Sequence, residues 1–205
     1  LCSMWHTLKN ALPLANWQRE LAHAVNDPAR LLQLLELPAD LLSPARRAAE
    51  GFSLRVPRGY VARMRKGDAH DPLLRQVLPV AEEAVETAGF RFDAVGDLGA
   101  MPVAGVLHKY QGRALLVATG ACAIHCRYCF RRHFPYAEAN PAQEGWNAAL
   151  DYIAADSSLR EVILSGGDPL SLSDARLSAL SGALQSIAHV KYLRIHTRLP
   201  IVLPE

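Results

Sequence analysis

From Arg113 onward the chain alternates short apolar runs with helical stretches, joined by connections short enough to dictate its topology. Ala114 to Ala118 is an apolar run, Ala142 to Ala155 reads as a helix, and Val162 to Leu164 is a second run that ends in Ser165-Gly166-Gly167-Asp168-Pro169. A helix from about Ser173 to Ile187 and a third strand from Tyr192 to Ile195 complete the pattern. Strand, helix, strand, helix, strand with such connections predicts parallel pairing through right-handed crossovers. Parallel sheets and barrels bind ligands at the C-terminal ends of their strands. The glycine and polar motifs of this chain fall at those ends.

The first hundred residues read differently, as short helices punctuated by proline. Leu14, Trp17, Leu21 and Val25 recur at spacings of three and four, which places them on one helical face. Asp27-Pro28, Ser43-Pro44 and Asp71-Pro72 each put a capping residue before a proline at the first helical position, where the missing N–H costs nothing. Gly51 and Gly67 stand where helices would end. These apolar stripes predict core packing and no chemistry. A weakly patterned stretch from Gly89 to Gly105 reads as a linker. The expected organisation is a small helical N-terminal domain with its linker over residues 1–105, followed by an α/β unit over residues 106–205.

Bulk properties restrict partners more than they suggest them. Half of the 205 residues are apolar, enough for a sizeable core. A net charge of +2, with charged residues a fifth of the chain and both signs interspersed, predicts neither a nucleic-acid nor a membrane partner. No apolar run approaches the roughly 18–20 residues that span a bilayer, and no signal-type segment opens the chain, so the expected location is the cytoplasm. The chain opens on Leu1 and stops at Glu205 just after an apolar stretch, from which the sequence is expected to be part of a longer protein.

Three of the four cysteines crowd into Cys122-Ala123-Ile124-His125-Cys126-Arg127-Tyr128-Cys129, on the loop leaving the first expected strand. In a reducing compartment that density points to a metal or redox site. Three thiolates spaced this way can hold three irons of a cubane and leave the fourth without a protein ligand. Cys2, 120 residues upstream of Cys122, is poorly placed to supply a fourth. The rival reading is zinc, with His125 or His133 completing a tetrahedral site.

The spacing, with Tyr128 before the last cysteine, resembles the signature of the radical S-adenosylmethionine superfamily. Arg131-Arg132-His133-Phe134, Ser165-Gly166-Gly167-Asp168-Pro169-Leu170 and Leu193-Arg194-Ile195-His196-Thr197-Arg198 narrow the likeness to the lysine 2,3-aminomutase family. Leu54-Arg55-Val56-Pro57, Asp71-Pro72-Leu73-Leu74-Arg75-Gln76-Val77, Leu107-His108-Lys109-Tyr110 and the run from Cys126 to Tyr136 resemble the branch that makes β-lysine for elongation factor P.

The resemblance implies a fold, a cofactor set and a reaction. The fold is a partial parallel (βα) barrel of the radical type, truncated and preceded by the helical domain. A [4Fe–4S] cluster on Cys122, Cys126 and Cys129 would cleave S-adenosylmethionine, with an electron from a reductant such as flavodoxin or ferredoxin. The resulting 5′-deoxyadenosyl radical would start migration of the amino group from the α- to the β-carbon of L-lysine held on pyridoxal 5′-phosphate. Tyr128, Gly166, Gly167, Asp168, His196 and Arg198 are the implied contacts to S-adenosylmethionine, with Thr197 beside them. Lys109 and Arg113 are implied for the coenzyme phosphate and Arg131 for the substrate carboxylate, where a flat pair of donors suits a flat acceptor.

A Schiff-base lysine is expected beyond Glu205, so this chain alone is expected not to turn over. The product would pass to the lysine ligase of elongation factor P. Alternatives are a catabolic lysine or other amino-acid aminomutase, and a non-catalytic zinc or electron-transfer iron–sulfur module.

Overall fold

The computed structural model describes residues 16–139 and 146–204. Among them one open sheet runs in the order β1 (Val106–Tyr110), β2 (Arg113–Thr119), β3 (Glu161–Gly166) and β4 (Tyr192–Ile195). The β2–β3 and β3–β4 pairs are parallel, with Ala114 opposite Val162 and Val162 opposite Leu193. Helices α5 (Asn147–Ala155) and α6 (Asp174–Gln185) provide the crossovers. Both follow the expected alternation, although the expected start of the first helix at Ala142 lies outside the described residues. Ser173 caps α6 by accepting from the Arg176 N–H at 3.4 Å.

The antiparallel strand β1 was not expected and corrects the sequence reading. It returns on β2 through Gln111-Gly112, where Gly112 has φ +78°, a conformation that favours glycine. Its first two residues are buried and its last two exposed, so it lacks the alternation that marks a half-buried strand.

Alternate residues of β2 and β3 build the two faces of the sheet. Leu116, Val162 and Leu164 point to one side and pack with Ile153 of α5 and Leu180 and Leu184 of α6, all at most 1% exposed. Burying each contributes about 1.5–3 kcal/mol. Leu115, Ile163 and Ser165 point to the other side, where the cavities lie.

The N-terminal layer comprises α1 (Asn16–Ala22), α2 (Pro28–Leu34), α3 (Leu42–Gly51) and α4 (Arg58–Val61). Its core is formed by Leu31, Leu32, Leu35, Leu54, Tyr60 and Leu74 with their neighbours. Of the apolar stripe, Leu14 is outside the described residues, Leu21 packs on this core, and Val25 leaves the helix to bridge Val56. Asp27 caps α2 as expected, accepting from Ala29 N–H at 3.0 Å.

Two other expected caps are corrected. Ser43 lies inside the first turn of α3 because a 3-10 turn, Ala39–Leu41, feeds the helix earlier; its hydroxyl instead accepts from Arg47 at 2.7 Å. Asp71 does receive the Leu73 and Leu74 N–H groups at 2.9 and 3.0 Å, but only a 3-10 turn, Leu74–Gln76, follows. Leu74 in that turn and Val77 and Leu78 just after it are all buried, a tertiary demand that overrides helix propagation.

The stretch from Gly89 to Gly105 exposes Phe90 and Phe92, yet buries Asp97 to 3% exposure. No helix among the described residues is long and apolar enough to cross a membrane.

Candidate functional site

The loop after β2 carries the three cysteines without regular secondary structure, so turns and outside contacts shape it. Cys129 N–H donates to Cys126 O at 3.0 Å, and Arg132 N–H donates to Cys129 O at 3.3 Å. Cys122, Cys126 and Cys129 are half-buried free thiols that line one cavity of about 680 Å³. Its other wall comes from the ends of β3 and β4: Gly166, Gly167 and Asp168 on one, His196, Thr197 and Arg198 on the other. The strand ends therefore converge as the parallel topology requires.

Gly166 and Gly167 are dictated by contact between the two loops. A Cβ on Gly166, whose φ is +113°, would lie 2.6 Å from Thr119 O; one on Gly167 would run into Ala121 O. The close approach thus replaces side chains with backbone bonds: Gly167 N–H donates to Thr119 O at 2.8 Å and Asp168 N–H to Ala121 O at 2.7 Å. Gly166 O in turn accepts from the Tyr136 hydroxyl at 2.8 Å.

Asp168 is 5% exposed and joins the strand ends. Oδ1 accepts from Leu170 N–H at 3.0 Å and the Thr197 hydroxyl at 2.6 Å; Oδ2 accepts from Arg198 N–H at 2.7 Å and Leu199 N–H at 3.0 Å. The Arg198 side chain then donates to Cys126 Sγ at 2.6 Å and to Gln76 Oε1. Tyr128 is not on the cavity wall; its ring, 63% exposed, faces the Arg198 guanidinium at 5.3 Å.

Burial pushes the Cys122 thiol up to about 12, with the Asp168 carboxylate and the other two cysteines adding to the effect. Burial also raises Cys129, against the Arg131 backbone N–H. Metal binding would deprotonate such thiols outright.

The three cations implied for anions divide between two places. Arg131 is 8% exposed and sits on the wall shared by the main cavity and a neighbouring one of about 270 Å³. Lys109 and Arg113 line only the neighbour. Asp97 accepts from Arg131 Nε at 2.7 Å and Lys109 Nζ at 2.5 Å, while Arg131 Nη1 donates to Ser165 Oγ at 3.3 Å. Arg113 pairs with Glu161 at 3.2 Å.

Sequence reading missed Asp97, Gln76 and Glu83. Asp97 lies in the stretch read as linker, and none of the three carries a local signal for partners 12 to 122 residues away.

Three thiols spaced along one loop are a donor set that an iron–sulfur cubane could use. Among the described residues no three His, Cys, Asp or Glu side chains converge on a single-ion position. His125 lines the same cavity, its Nδ1 2.9 Å from Ser53 O and its ring stacked on Phe52, and His133 packs edge-on against Phe92.

No family model matches the chain. It is 50% identical to the L-lysine 2,3-aminomutase of Escherichia coli (strain K12) over 190 residues, which cover 92% of this chain and 55% of that protein. With the L-lysine 2,3-aminomutase of Haemophilus influenzae it shares 47% identity over 190 residues, 93% of this chain and 56% of the other. With that of Clostridium subterminale it shares 29% over 191 residues, 93% and 46% respectively. The chain spans about half the length of the curated relatives it matches.

Proposed function

We propose, from the chain's membership of the lysine 2,3-aminomutase family, that it forms the cluster-binding part of a cytoplasmic radical isomerase converting L-lysine to β-lysine. In this reading the product feeds the β-lysylation of elongation factor P by its ligase, and the sheet is part of a (βα) barrel. The observation that carries the cofactor reading is the grouping of Cys122, Cys126 and Cys129 on one loop at a cavity walled by the ends of two parallel strands.

The three thiols would hold a [4Fe–4S] cluster with one iron free for S-adenosylmethionine, reduced by a flavodoxin or ferredoxin. Such a cofactor set supplies one-electron cleavage of S-adenosylmethionine and, with pyridoxal 5′-phosphate, a radical path for 2,3-amino migration.

The chain's own residues bind and orient. Gly166 and Gly167 bring the β3 backbone against the cysteine loop, and Asp168 fixes Thr197 and Arg198 beside it. The Arg198 guanidinium donates to Cys126 Sγ and so holds that sulfur at the cavity wall. Leu115, Ile124 and Phe130 give the cavity apolar surface that excludes water. Arg131, its plane held by Asp97 and Ser165, would receive the substrate carboxylate. Lys109 and Arg113 would serve the coenzyme phosphate from the adjoining cavity.

The test is anaerobic turnover of L-lysine by the full-length protein loaded with iron, sulfide, S-adenosylmethionine and pyridoxal 5′-phosphate, with β-lysine read by chromatography. An Arg131→Met variant should raise KM for lysine. Release of 5′-deoxyadenosine without β-lysine would refute the substrate while leaving the radical reading intact.

A further inference from the structure

We infer that the N-terminal layer presets the cysteine loop in the metal-free chain, with Glu83 as the positioning residue at the hub of that contact. Residues between the cysteines are taken up by the layer. Ala123 and Ile124 are buried in its core. His125 N–H donates to Arg55 O at 2.9 Å, and Arg127 N–H donates to Gln76 O at 2.8 Å. With these held by the layer, the three cysteines line the cavity.

Glu83 ties the same loop down electrostatically. Its carboxylate accepts from Arg127 Nε at 2.9 Å and Nη2 at 2.5 Å, and from Arg132 Nη1 at 2.7 Å. Glu83, Arg127 and Arg132 side chains are 10%, 6% and 17% exposed, so water replaces little of this pairing. Both guanidiniums lie over the Phe52 ring, at 4.9 and 5.0 Å. Without Glu83, two like charges would share one aromatic ring with no other carboxylate paired to either among the described residues, and the loop would be pushed off the layer. A backbone bond from Val80 N–H at 3.0 Å fixes the Glu83 carboxylate in turn.

A loop ordered by protein contacts differs from one ordered only by metal. The inference deepens the cluster reading but is measured on the metal-free chain, so the two can fail separately.

The experiment is hydrogen exchange of the metal-free wild type, Glu83→Gln and Glu83→Ala, followed in peptides covering residues 122–132 and, as a control, helix α5. The wild-type loop should be protected at His125 and Arg127. Glu83→Ala should speed loop exchange about tenfold or more, Glu83→Gln less, and α5 should not change. An unprotected wild-type loop overturns the inference, as does equal acceleration of loop and α5. If Glu83→Ala does not fold, Glu83→Gln decides alone by the same comparison. On reconstituted protein, Glu83→Gln should release iron to a chelator several-fold faster, and unchanged release would contradict the positioning role. Failure of the wild type to take up a cluster would instead defeat the cofactor reading and leave the exchange result standing.

Discussion

Replacing Asp168 removes a carboxylate that joins the ends of β3 and β4. Its two oxygens take four donors at 2.6 to 3.0 Å, and the side chain is nearly inaccessible. A hydrogen bond to a charged acceptor contributes about 1.5–3 kcal/mol. The freed donors regain some water at the cavity mouth, so Asp168→Ala should lose less than the sum, about 3–5 kcal/mol, the range for breaking a buried ionic network.

Asp168→Asn keeps an oxygen for Leu170 and Thr197 but turns an NH₂ toward the Arg198 and Leu199 N–H groups, for a loss of about 2 kcal/mol. Since domains are stable by only about 5–15 kcal/mol, the asparagine variant is the more readable one. Urea unfolding followed by circular dichroism measures both through the midpoint at constant slope. A loss below about 1 kcal/mol for Asp168→Ala would refute the reasoning, because it would mean that water already satisfies these donors.

Two further outcomes follow from the same geometry. Gly167→Ala drives a methyl into Ala121 O and should cost several kcal/mol, read as a lowered Tm, whereas Gly182→Ala, with open space at its Cβ, should be neutral or stabilising. Burial raises the Glu83 carboxyl, but the Arg127 and Arg132 bonds and the Val80 N–H outweigh it and hold it below its ordinary 4.5. Its contribution is therefore complete above that value and fades as pH falls through the lower folded one. Unfolding measured across an acid series should show a shallower acid loss for Glu83→Gln than for wild type, and parallel curves would contradict the pairing.

The parallel half of the fold was legible because β2, β3 and β4 are short apolar runs separated by helices, a pattern that periodicity and crossover handedness decode. The cysteine loop was legible for the same local reason: three thiols in eight residues need no partner to be noticed. β1 escaped because its burial changes along its length instead of alternating. The Asp71 segment was read as a helix because its cap is genuine, while the buried triplet of Leu74, Val77 and Leu78 that stops it is a tertiary effect. Gly166 and Gly167 were found, but the reading that they bring the backbone close to a cofactor missed their nearer neighbours, Thr119 O and Ala121 O. Asp97 and Glu83 were invisible because each is an ordinary acid in an exposed-looking stretch until the chain folds it onto two cations.

In the proposed function, Cys122, Cys126 and Cys129 hold a cluster that cleaves S-adenosylmethionine. Anaerobic reconstitution, reduction with dithionite and chromatography after adding S-adenosylmethionine test it most directly. The expected result is a brown protein that releases 5′-deoxyadenosine, and a Cys126→Ala variant that does not. A colourless protein holding one zinc and leaving S-adenosylmethionine intact would contradict it.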